Sequence, residues 1–309
     1  MSQAIDGATA LVGVLGDPVR HSLSPLMHNA ALAELDLNWA YLALPVPAAD
    51  LAGALRALEA LGCRGLNVTL PHKQAAAALA ADLSPLARRL GAVNTLVRRD
   101  GGGWWGTNTD VEGFLSPLLA DPNATGSWQG KRALVLGCGG SARAVVAGAL
   151  ELGLASIAVA GRSPTRLASF LADARTWMDG QPTSLDGLAW EGEPGAGSAL
   201  GEALAGADLV IHTTPVGMAS TTDPGAIGRA PLGPALLDQL RPSAVVYDLI
   251  YTPRPTRLLR EASSRGCRVV DGLEMLVQQG AASLRLWSGL DAVPVGAMRR
   301  AALARLEGP

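Results

Sequence analysis

The sequence predicts an α/β protein of two domains, and three observations support that prediction. The chain has 309 residues, and a domain commonly holds about 100 to 200 residues. Hydrophobic residues make up 49% of the chain and charged residues 17%, a balance that fills two cores and excludes a disordered chain or a coiled coil. The 37 glycines and 20 prolines interrupt Ala-, Leu- and Val-rich segments, a pattern typical of short strands that alternate with helices.

The first 110 residues predict five strands and three helices. The strands are predicted at 10–15, 39–44, 66–70, 93–98 and 104–107. The helices are predicted to open at Ser24-Pro25, to cover 50–61 and to start at Pro71. A polar, turn-rich segment at 121–131 then indicates a domain boundary.

The second part of the chain predicts a further series of strands and helices. Strands are predicted at 132–137, 155–160, 208–212 and 244–249, and helices at 142–152, from Pro164, at 273–288 and at 294–307. The segments 180–201 and 219–234 are rich in turn formers. The first interrupts the alternation of strands and helices, and we expect the second to be an exposed loop.

The composition excludes several classes of partner. The 25 basic residues nearly balance the 27 acidic ones, which leaves no electrostatic footprint for nucleic acid or an acidic membrane surface. The first 16 residues contain no basic region, and no apolar stretch approaches the roughly 18 residues that indicate a membrane span. Three separated cysteines argue against a disulfide framework, and four histidines show no ligand spacing with them. We expect a cytoplasmic protein without a metal.

Only two of the basic residues are lysines, Lys73 and Lys131. Lys131 precedes a strand, and we expect it to be ordinary surface. Lys73 follows a strand and Pro71, in the first turn of a predicted helix, where the helix dipole disfavours a cation. The dipole and any burial lower a lysine pKa from about 10.4, toward a value that allows proton exchange near neutral pH. The alternative is a solvated lysine at a helix start.

A glycine-rich turn connects strand 132–137 to the helix that follows. A dinucleotide pyrophosphate rests on such a helix N-terminus, and the glycines let the backbone approach it. The order strand, turn, helix and strand therefore predicts a Rossmann-type domain. A tight turn without a ligand is the alternative. The predicted cofactor-binding residues of the turn are Gly137, Cys138, Gly139, Gly140, Ser141 and Ala142.

The next predicted strand ends at Gly161, Arg162 and Ser163, and Arg166 follows one helical turn later. An NAD site would place an acidic residue here to hold the ribose hydroxyls. Two guanidinium groups and a hydroxyl instead suit a doubly charged phosphate, so the sequence predicts NADP. In the alternative interpretation Ser163 only caps the helix and both arginines are solvated, although capping and phosphate binding can coexist.

Eight segments, in order, resemble the shikimate dehydrogenase family over nearly the whole chain, from Gly16 to Trp287. They are 16–29 (GDPVRHSLSPLMHN), 67–73 (NVTLPHK), 91–95 (GAVNT), 106–110 (GTNTD), 137–144 (GCGGSARA), 213–218 (TTPVGM), 247–259 (YDLIYTPRPTRLL) and 271–287 (DGLEMLVQQGAASLRLW). The resemblance implies reversible NADPH-dependent reduction of 3-dehydroshikimate to shikimate, in aromatic amino acid (chorismate) biosynthesis. It implies a substrate domain at 1–110, an NADP domain at 111–270, a cleft between them, and helices at 271–309 that pack back on the first domain.

The resemblance also implies a role for each site residue. Lys73 and Asp110 match the catalytic pair, in which the lysine exchanges a proton with the ring oxygen. Ser22 and Ser24 match the carboxylate-binding pair; Asn67, Thr69 and Asn94 match residues around the substrate hydroxyls; Tyr251 and Gln279 complete those contacts; and Leu249, Gly272 and Met275 match residues that line the nicotinamide. Two alternatives stay open, because Ser24 and Asp110 could each cap a helix instead.

Some residues depart from the family pattern. Gly161 and His212 stand where asparagine is common, Cys138 replaces the usual alanine, and Pro85 replaces an acidic residue. These changes bear on cofactor affinity, and His212 has no functional interpretation from sequence. Two other hypotheses stay open. The first is a paralogue that acts on quinate or an amino-shikimate, and the second is a sensor that binds NADP and a cyclic acid without turnover. Both carboxylate-binding serines are present, which favours shikimate over quinate. We expect a monomer or homodimer.

Overall fold

The computed structural model describes residues 5–120, 127–178, 180–190, 195–220 and 222–307. These residues form twelve strands: β1 (Ala10–Gly16), β2 (Trp39–Pro45), β3 (Gly65–Val68), β4 (Asp82–Leu83), β5 (Thr95–Arg98), β6 (Trp104–Thr107), β7 (Arg132–Leu136), β8 (Ser156–Gly161), β9 (Ser184–Ala189), β10 (Leu209–His212), β11 (Val245–Asp248) and β12 (Arg268–Val270). They also form twelve α-helices: α1 (Ser24–Glu34), α2 (Leu51–Ala60), α3 (Lys73–Leu79), α4 (Pro85–Leu90), α5 (Asp110–Leu119), α6 (Gly140–Glu151), α7 (Pro164–Trp177), α8 (Ala199–Gly206), α9 (Pro234–Leu237), α10 (Arg257–Ser264), α11 (Gly272–Ser288) and α12 (Val295–Leu306).

The chain folds as two compact units, Met1–Ser116 with Glu274–Pro309, and Pro117–Leu273. In the first unit the sheet order is β2-β1-β3-β5-β6-β4. Strand β3 is antiparallel to β5, and β5 is antiparallel to β6, so β3 and β6 run in the same direction. Their carboxyl ends therefore meet at one edge of the sheet, the edge at which β5 begins.

The last helices belong to the first unit. Helix α12 packs against α1. Trp287 of α11 donates its indole N–H to the carbonyl oxygen of Leu96 in β5, at 3.0 Å. Its ring lies so close to Gly65 that a Cβ added there would fall 2.1 Å from ring atoms. Only glycine fits at this position of β3, and the contact fixes α11 on the sheet.

The second unit contains a parallel sheet in the order β12-β11-β10-β7-β8-β9. Numbered within the unit, this order is 6-5-4-1-2-3, the order of a doubly wound dinucleotide-binding sheet. The order reverses between β7 and β10, and ligands of such sheets bind outside the carboxyl ends of the strands at that point. The central strands β7, β10 and β11 are buried almost throughout. Leu134, Leu136, Val210 and Val246 lie in one apolar cluster.

Several short elements differ from the sequence prediction. Segment 180–201, for which no element was predicted, contains β9 and the start of α8. Segment 219–234 contains a 3-10 turn at Pro224–Gly228, so it is not a loop throughout. Strand β9 contains Asp186 and Gly187, which have low strand propensity, and its pairing with β8 holds it in the sheet. Part of the boundary segment, 121–126, lies outside the described residues. No described helix is both long and apolar enough to span a membrane.

Candidate active site

Lys73 and Asp110 form an ion pair in the first unit. Lys73 is the first residue of α3, which follows β3, and Asp110 is the first residue of α5, which follows β6. The Nζ atom of Lys73 donates to Oδ2 of Asp110 at 2.5 Å, and the two side chains are 11% and 8% exposed. The helix dipole disfavours a cation at the start of α3, and the adjacent carboxylate offsets that effect. One ammonium N–H is used in this pair, which leaves two donors for another oxygen.

Asn94, which directly precedes β5, fixes the other oxygen of Asp110. Its Nδ2 donates to Oδ1 of Asp110 at 2.7 Å and to the Gln279 side chain at 3.3 Å. The backbone N–H of Asp110 donates to Oδ1 of Asn108, so Asn108 satisfies the helix start while the Asp110 carboxylate faces side chains. The capping alternative for Asp110 is therefore wrong. Lys73, Asn94, Asp110 and Gln279 form one hydrogen-bonded group.

Asn67 lies at the centre of a second buried group. Its Oδ1 accepts from the Tyr41 hydroxyl at 2.7 Å, and its Nδ2 donates to the Ser283 hydroxyl at 2.9 Å. Ser283 in turn contacts the hydroxyls of Thr95 and Thr109, at 2.8 and 3.2 Å. Sequence reasoning missed all four of these partners. Two signals could have found three of them: Thr95 and Thr109 lie within the matched motifs, and Ser283 lies four residues after Gln279 on the same helix face.

The two serines lie at the start of α1. The N-cap residue is Leu23, and no side chain caps this helix. Ser24 is already helical, so the alternative that it only caps α1 is wrong. Ser24 is buried, and its backbone N–H donates to the Ser22 hydroxyl at 3.2 Å. Burial raises the pKa of the Tyr41 hydroxyl, and a hydrogen bond with the Ser24 side chain partly offsets this. Within the described part of the chain the Thr69 hydroxyl has no hydrogen-bond partner.

These contacts form one continuous network of side chains, which we call the polar network. It runs through Ser24, Tyr41, Asn67, Ser283, Thr109, Asn94, Asp110 and Lys73. Because each member is held by its neighbours, the orientations of the Lys73 ammonium and the Asp110 carboxylate are fixed before any ligand binds.

His28 packs against Tyr41, a member of the polar network. The imidazole is fully buried and stacks on Tyr41, with ring centroids 4.2 Å apart and an interplanar angle of 1°. Among the residues that the structure describes, neither ring nitrogen has a hydrogen-bond partner. Burial lowers the pKa of His28 to about 3. The ring is therefore neutral at ordinary pH.

The glycine-rich turn lies in the second unit between β7 and α6. Gly137 has a φ of +115°, and a Cβ there would fall 2.5 Å from the Thr213 hydroxyl oxygen. A Cβ added at Gly139 or Gly140 would meet nothing within 4 Å, so space is open in front of the α6 N-terminus. Helix α6 starts at Gly140, two residues before the predicted start. Open space at a helix N-terminus fits a pyrophosphate. Cys138 and Ser141 lie half-buried beside this space, and Ala142 is buried.

Arg162 and Arg166 are exposed beyond the carboxyl end of β8. Neither guanidinium has an ion-pair partner among the described residues. Ser163 accepts from the backbone N–H of Arg166 at 3.4 Å, so it does cap α7, as the alternative interpretation stated. The charge of Arg166 lowers the pKa of Cys138, although burial raises that pKa overall. Two unpaired cations beside the glycine turn fit a phosphate group.

Gly161 and Cys138 occupy neighbouring space. A Cβ at position 161 would lie 3.1 Å from Sγ of Cys138 and 3.3 Å from Cβ of Leu167. The thiol therefore fills part of the volume that a larger residue at 161 would need. The departures at these two positions are coupled through packing.

Leu249 and Gly272 meet after the end of β11. The N–H of Gly272 donates to the carbonyl oxygen of Ile250 at 3.2 Å, and a Cβ at 272 would fall 2.0 Å from the Leu249 carbonyl oxygen. Tyr251 follows in the same segment of the second unit. Met275 lies one turn after Gly272 on α11 and is 8% exposed.

Lys131 is not the ordinary surface residue that the sequence predicts. It is half-buried, and its ammonium lies 4.8 Å from the ring centroid of Trp128, a cation–π contact. The three cysteines are free thiols. No cluster of His, Cys, Asp and Glu within the described ranges is arranged to hold a metal ion.

The doubly wound sheet carries a glycine turn and two exposed arginines, and the chain also carries a lysine–aspartate pair. Together these features define an NADP-dependent α/β oxidoreductase. Family models match at both ends of the chain: "Shikimate dehydrogenase substrate binding domain" at 14–96 and "Shikimate 5'-dehydrogenase C-terminal domain" at 272–303. A shikimate dehydrogenase (NADP(+)) of Synechocystis sp. is 49% identical and covers 98% of each chain. The chain belongs to the shikimate dehydrogenase family.

Solved structures show the same similarity. The shikimate 5-dehydrogenase of Thermus thermophilus, in complex with NADP(H) and shikimate, is 36% identical with a TM-score of 0.78, over 95% of this chain and 98% of that one. A ligand-free 5-ketofructose reductase of Gluconobacter sp. is 29% identical with a TM-score of 0.80, over 96% of this chain and 99% of that one. The fold is therefore shared with a protein named for another substrate.

Proposed function

We propose that this chain catalyses the reversible NADPH-dependent reduction of 3-dehydroshikimate to shikimate. The observation that carries the proposal is the Lys73–Asp110 ion pair, held by Asn94 at the edge where β3 and β6 end. The names of the relatives support the same reaction, because the Synechocystis protein and many others are shikimate dehydrogenases. The step belongs to aromatic amino acid biosynthesis through chorismate.

The residues of the second unit suit the cofactor NADP. The turn from Gly137 to Ala142 would hold the pyrophosphate on the α6 N-terminus, and Arg162 and Arg166 would bind the additional phosphate. Bound NADPH supplies the hydride. Leu249 and Gly272, which lie together, would line the nicotinamide with Met275.

Lys73 performs the proton transfer in this proposal. One of its N–H groups stays on Asp110, and another donates to the ring ketone oxygen. Lys73 gives that oxygen a proton during reduction and takes it back during oxidation. Asp110 holds the ammonium in place, and Asn94 holds Asp110, so the donor is oriented before the substrate binds.

The other polar residues would bind the substrate. Ser22 and Ser24 would hydrogen-bond the carboxylate, with Tyr251. The Thr69 hydroxyl, which has no partner among the described residues, would serve a ring hydroxyl together with Asn94 and Gln279. Asn67 already uses its amide within the polar network. We therefore assign Asn67 mainly the task of positioning the neighbouring groups.

The test is an absorbance assay of NADP reduction with shikimate, quinate and the reduced form of 5-ketofructose in parallel. Lys73→Ala should lower kcat with shikimate about a hundredfold or more, with little change in KM. Lys131→Ala is the matched control, since it removes the only other lysine, and kcat should be unchanged. Faster turnover of quinate would favour the paralogue. Absence of turnover with every substrate would refute the proposal and leave the sensor.

A further inference from the structure

His212 lies buried at the carboxyl end of β10, where both of its ring nitrogens are hydrogen-bonded. Nδ1 lies 3.0 Å from Oδ1 of Asp248, at the end of neighbouring β11, and Nε2 lies 2.6 Å from the Thr214 hydroxyl. His212 and Asp248 are both 0% exposed. Burying such a pair costs free energy unless each polar group has a hydrogen-bond partner. Here both ring nitrogens and both carboxylate oxygens have one.

The contacts of Asp248 determine where the imidazole proton lies. Oδ1 also accepts from the backbone N–H of Ile250 at 3.0 Å, and Oδ2 accepts from the Thr256 hydroxyl at 2.7 Å. A carboxylate that receives these bonds is an acceptor only, so Nδ1 of His212 carries a proton. In the neutral ring Nε2 then accepts from the Thr214 hydroxyl, whose oxygen in turn accepts from the N–H of Val216 at 3.3 Å.

This hydrogen-bonded group contacts three segments at the carboxyl edge of the sheet. A Cβ at Gly137 would lie 2.8 Å from Cγ2 of Thr214, so Thr214 packs directly on the glycine turn. The carbonyl oxygen of His212 accepts from the N–H of Leu249 at 3.1 Å. Through Ile250, Asp248 also holds the segment whose carbonyl accepts from Gly272.

The group lies in the half of the sheet opposite to the arginines. Arg162 and Arg166 follow β8, on one side of the point where the strand order reverses, and His212 and Asp248 end β10 and β11 on the other side. A doubly wound sheet of this order binds one mononucleotide on each half. The arginine half suits the phosphate-bearing adenosine, so the half that contains His212 faces the nicotinamide nucleotide.

We infer that His212 is a positioning residue for the nicotinamide half of the cofactor, acting through Thr214 and Asp248. It sets the 213–216 turn against Gly137 and sets the 249–250 segment beside it. The inference deepens the proposed function, since it assigns the buried histidine to the cofactor site on which that function depends.

The experiment compares two ligands on two variants. His212→Asn keeps a donor toward Asp248 and loses the bond to Thr214, and Thr214→Val removes the same bond from the other end. Each variant should raise the Kd of NADPH about tenfold, as expected for one lost oriented hydrogen bond. The Kd of 2′,5′-ADP, which lacks the nicotinamide nucleotide, should change less than twofold. The Kd of NADPH for the double variant should lie within twofold of the Kd for Thr214→Val, because both changes remove the same hydrogen bond.

Thr183→Val is the control for a structural effect. Thr183 is buried in the same unit and donates to the Leu154 carbonyl oxygen at 2.7 Å, at the opposite, amino-terminal edge of the sheet. It should lower Tm by an amount similar to Thr214→Val while leaving both Kd values unchanged.

Two results would overturn the inference. One is a Kd of NADPH for folded Thr214→Val within twofold of that for the unsubstituted protein, and the other is an equal rise in Kd for both ligands. Failure of His212→Asn to fold leaves the Thr214→Val result decisive. Unsubstituted protein that binds NADPH but does not oxidise shikimate would refute the proposed function alone.

Discussion

The candidate substrate site and the candidate cofactor site are built in different ways. In the first unit, side-chain hydrogen bonds join Lys73, Asp110 and Asn94. Thr109 and Ser283 connect this group to Asn67. In the second unit, the glycine turn offers backbone N–H groups and open space, and the arginines beyond β8 are exposed without ion-pair partners among the described residues. The first arrangement is preorganised for proton transfer. The second leaves its cations available to a ligand that must bind and leave in every cycle.

The largest effect should come from the preorganised site. Asp110→Asn keeps the shape of the side chain and removes the charge that holds the Lys73 ammonium. We expect kcat to fall about a hundredfold with a smaller change in KM, because the interaction aligns the proton donor in the transition state. Steady-state kinetics with shikimate and NADP measure this. Asp223→Asn, in an exposed pair with Arg229, is the control and should leave kcat unchanged; a loss of less than fivefold at Asp110 would contradict the comparison.

A smaller effect should follow from the neutral histidine behind the polar network. Folding lowers the pKa of His28 from 6.5 to about 3, so the unfolded chain binds a proton below pH 6.5 that the folded chain does not bind. The stability contribution of His28 is complete above pH 6.5 and is lost as pH falls toward 3. It amounts to about 2 kcal/mol of unfolding free energy between pH 7 and pH 5.

Urea unfolding at pH 7 and pH 5 tests this pH dependence. His28→Leu should reduce the difference between the two free energies by about 2 kcal/mol, whatever its effect on absolute stability. An unchanged difference in His28→Leu would show that the ring is accessible to protons in the folded state.

The smallest effect should come from the open site. In the proposed cofactor site, Arg162→Ala removes one of the two cations that would bind the same phosphate, while Arg166 remains. We expect KM for NADPH to rise about tenfold, the value of one charge-assisted hydrogen bond, with KM for NADH unchanged. Kinetics with both cofactors measure this, and NADH is the internal control. An equal rise in KM for both cofactors would show that Arg162 stabilises the turn instead of binding the phosphate.

The sequence allowed prediction of most long elements and of the residues that we propose for the candidate site. Lys73 stood out because a cation is disfavoured at a helix start, and the strand, turn and helix around Gly137 followed a local pattern. The partners of Asn67 were not predictable in this way, because Tyr41 and Ser283 lie 26 and 216 residues away along the chain. Such contacts depend on strand order and on where α11 packs, which no local pattern specifies.

Short elements were missed for a related reason. Strand β12 has three residues and β4 has two, so neither shows a period, and each exists because a neighbouring strand supplies its hydrogen bonds. Helix α4 did have a signal. Ser84 caps it, Pro85 takes its first position and Gly91 ends it with a φ of +60°, a combination that predicts a helix.

The contact of Trp287 with Gly65 has a consequence for synthesis of the chain. The second unit is continuous, from Pro117 to Leu273, whereas the first requires residues beyond 273. Ser283, a member of the polar network, and Gln279, which accepts from Asn94, leave the ribosome after the whole second unit. Because domains generally fold as units during synthesis, the second unit can complete its parallel sheet while β1, β3 and β5 still lack α11. Lys73 and Asp110 therefore gain the final neighbours of their network last.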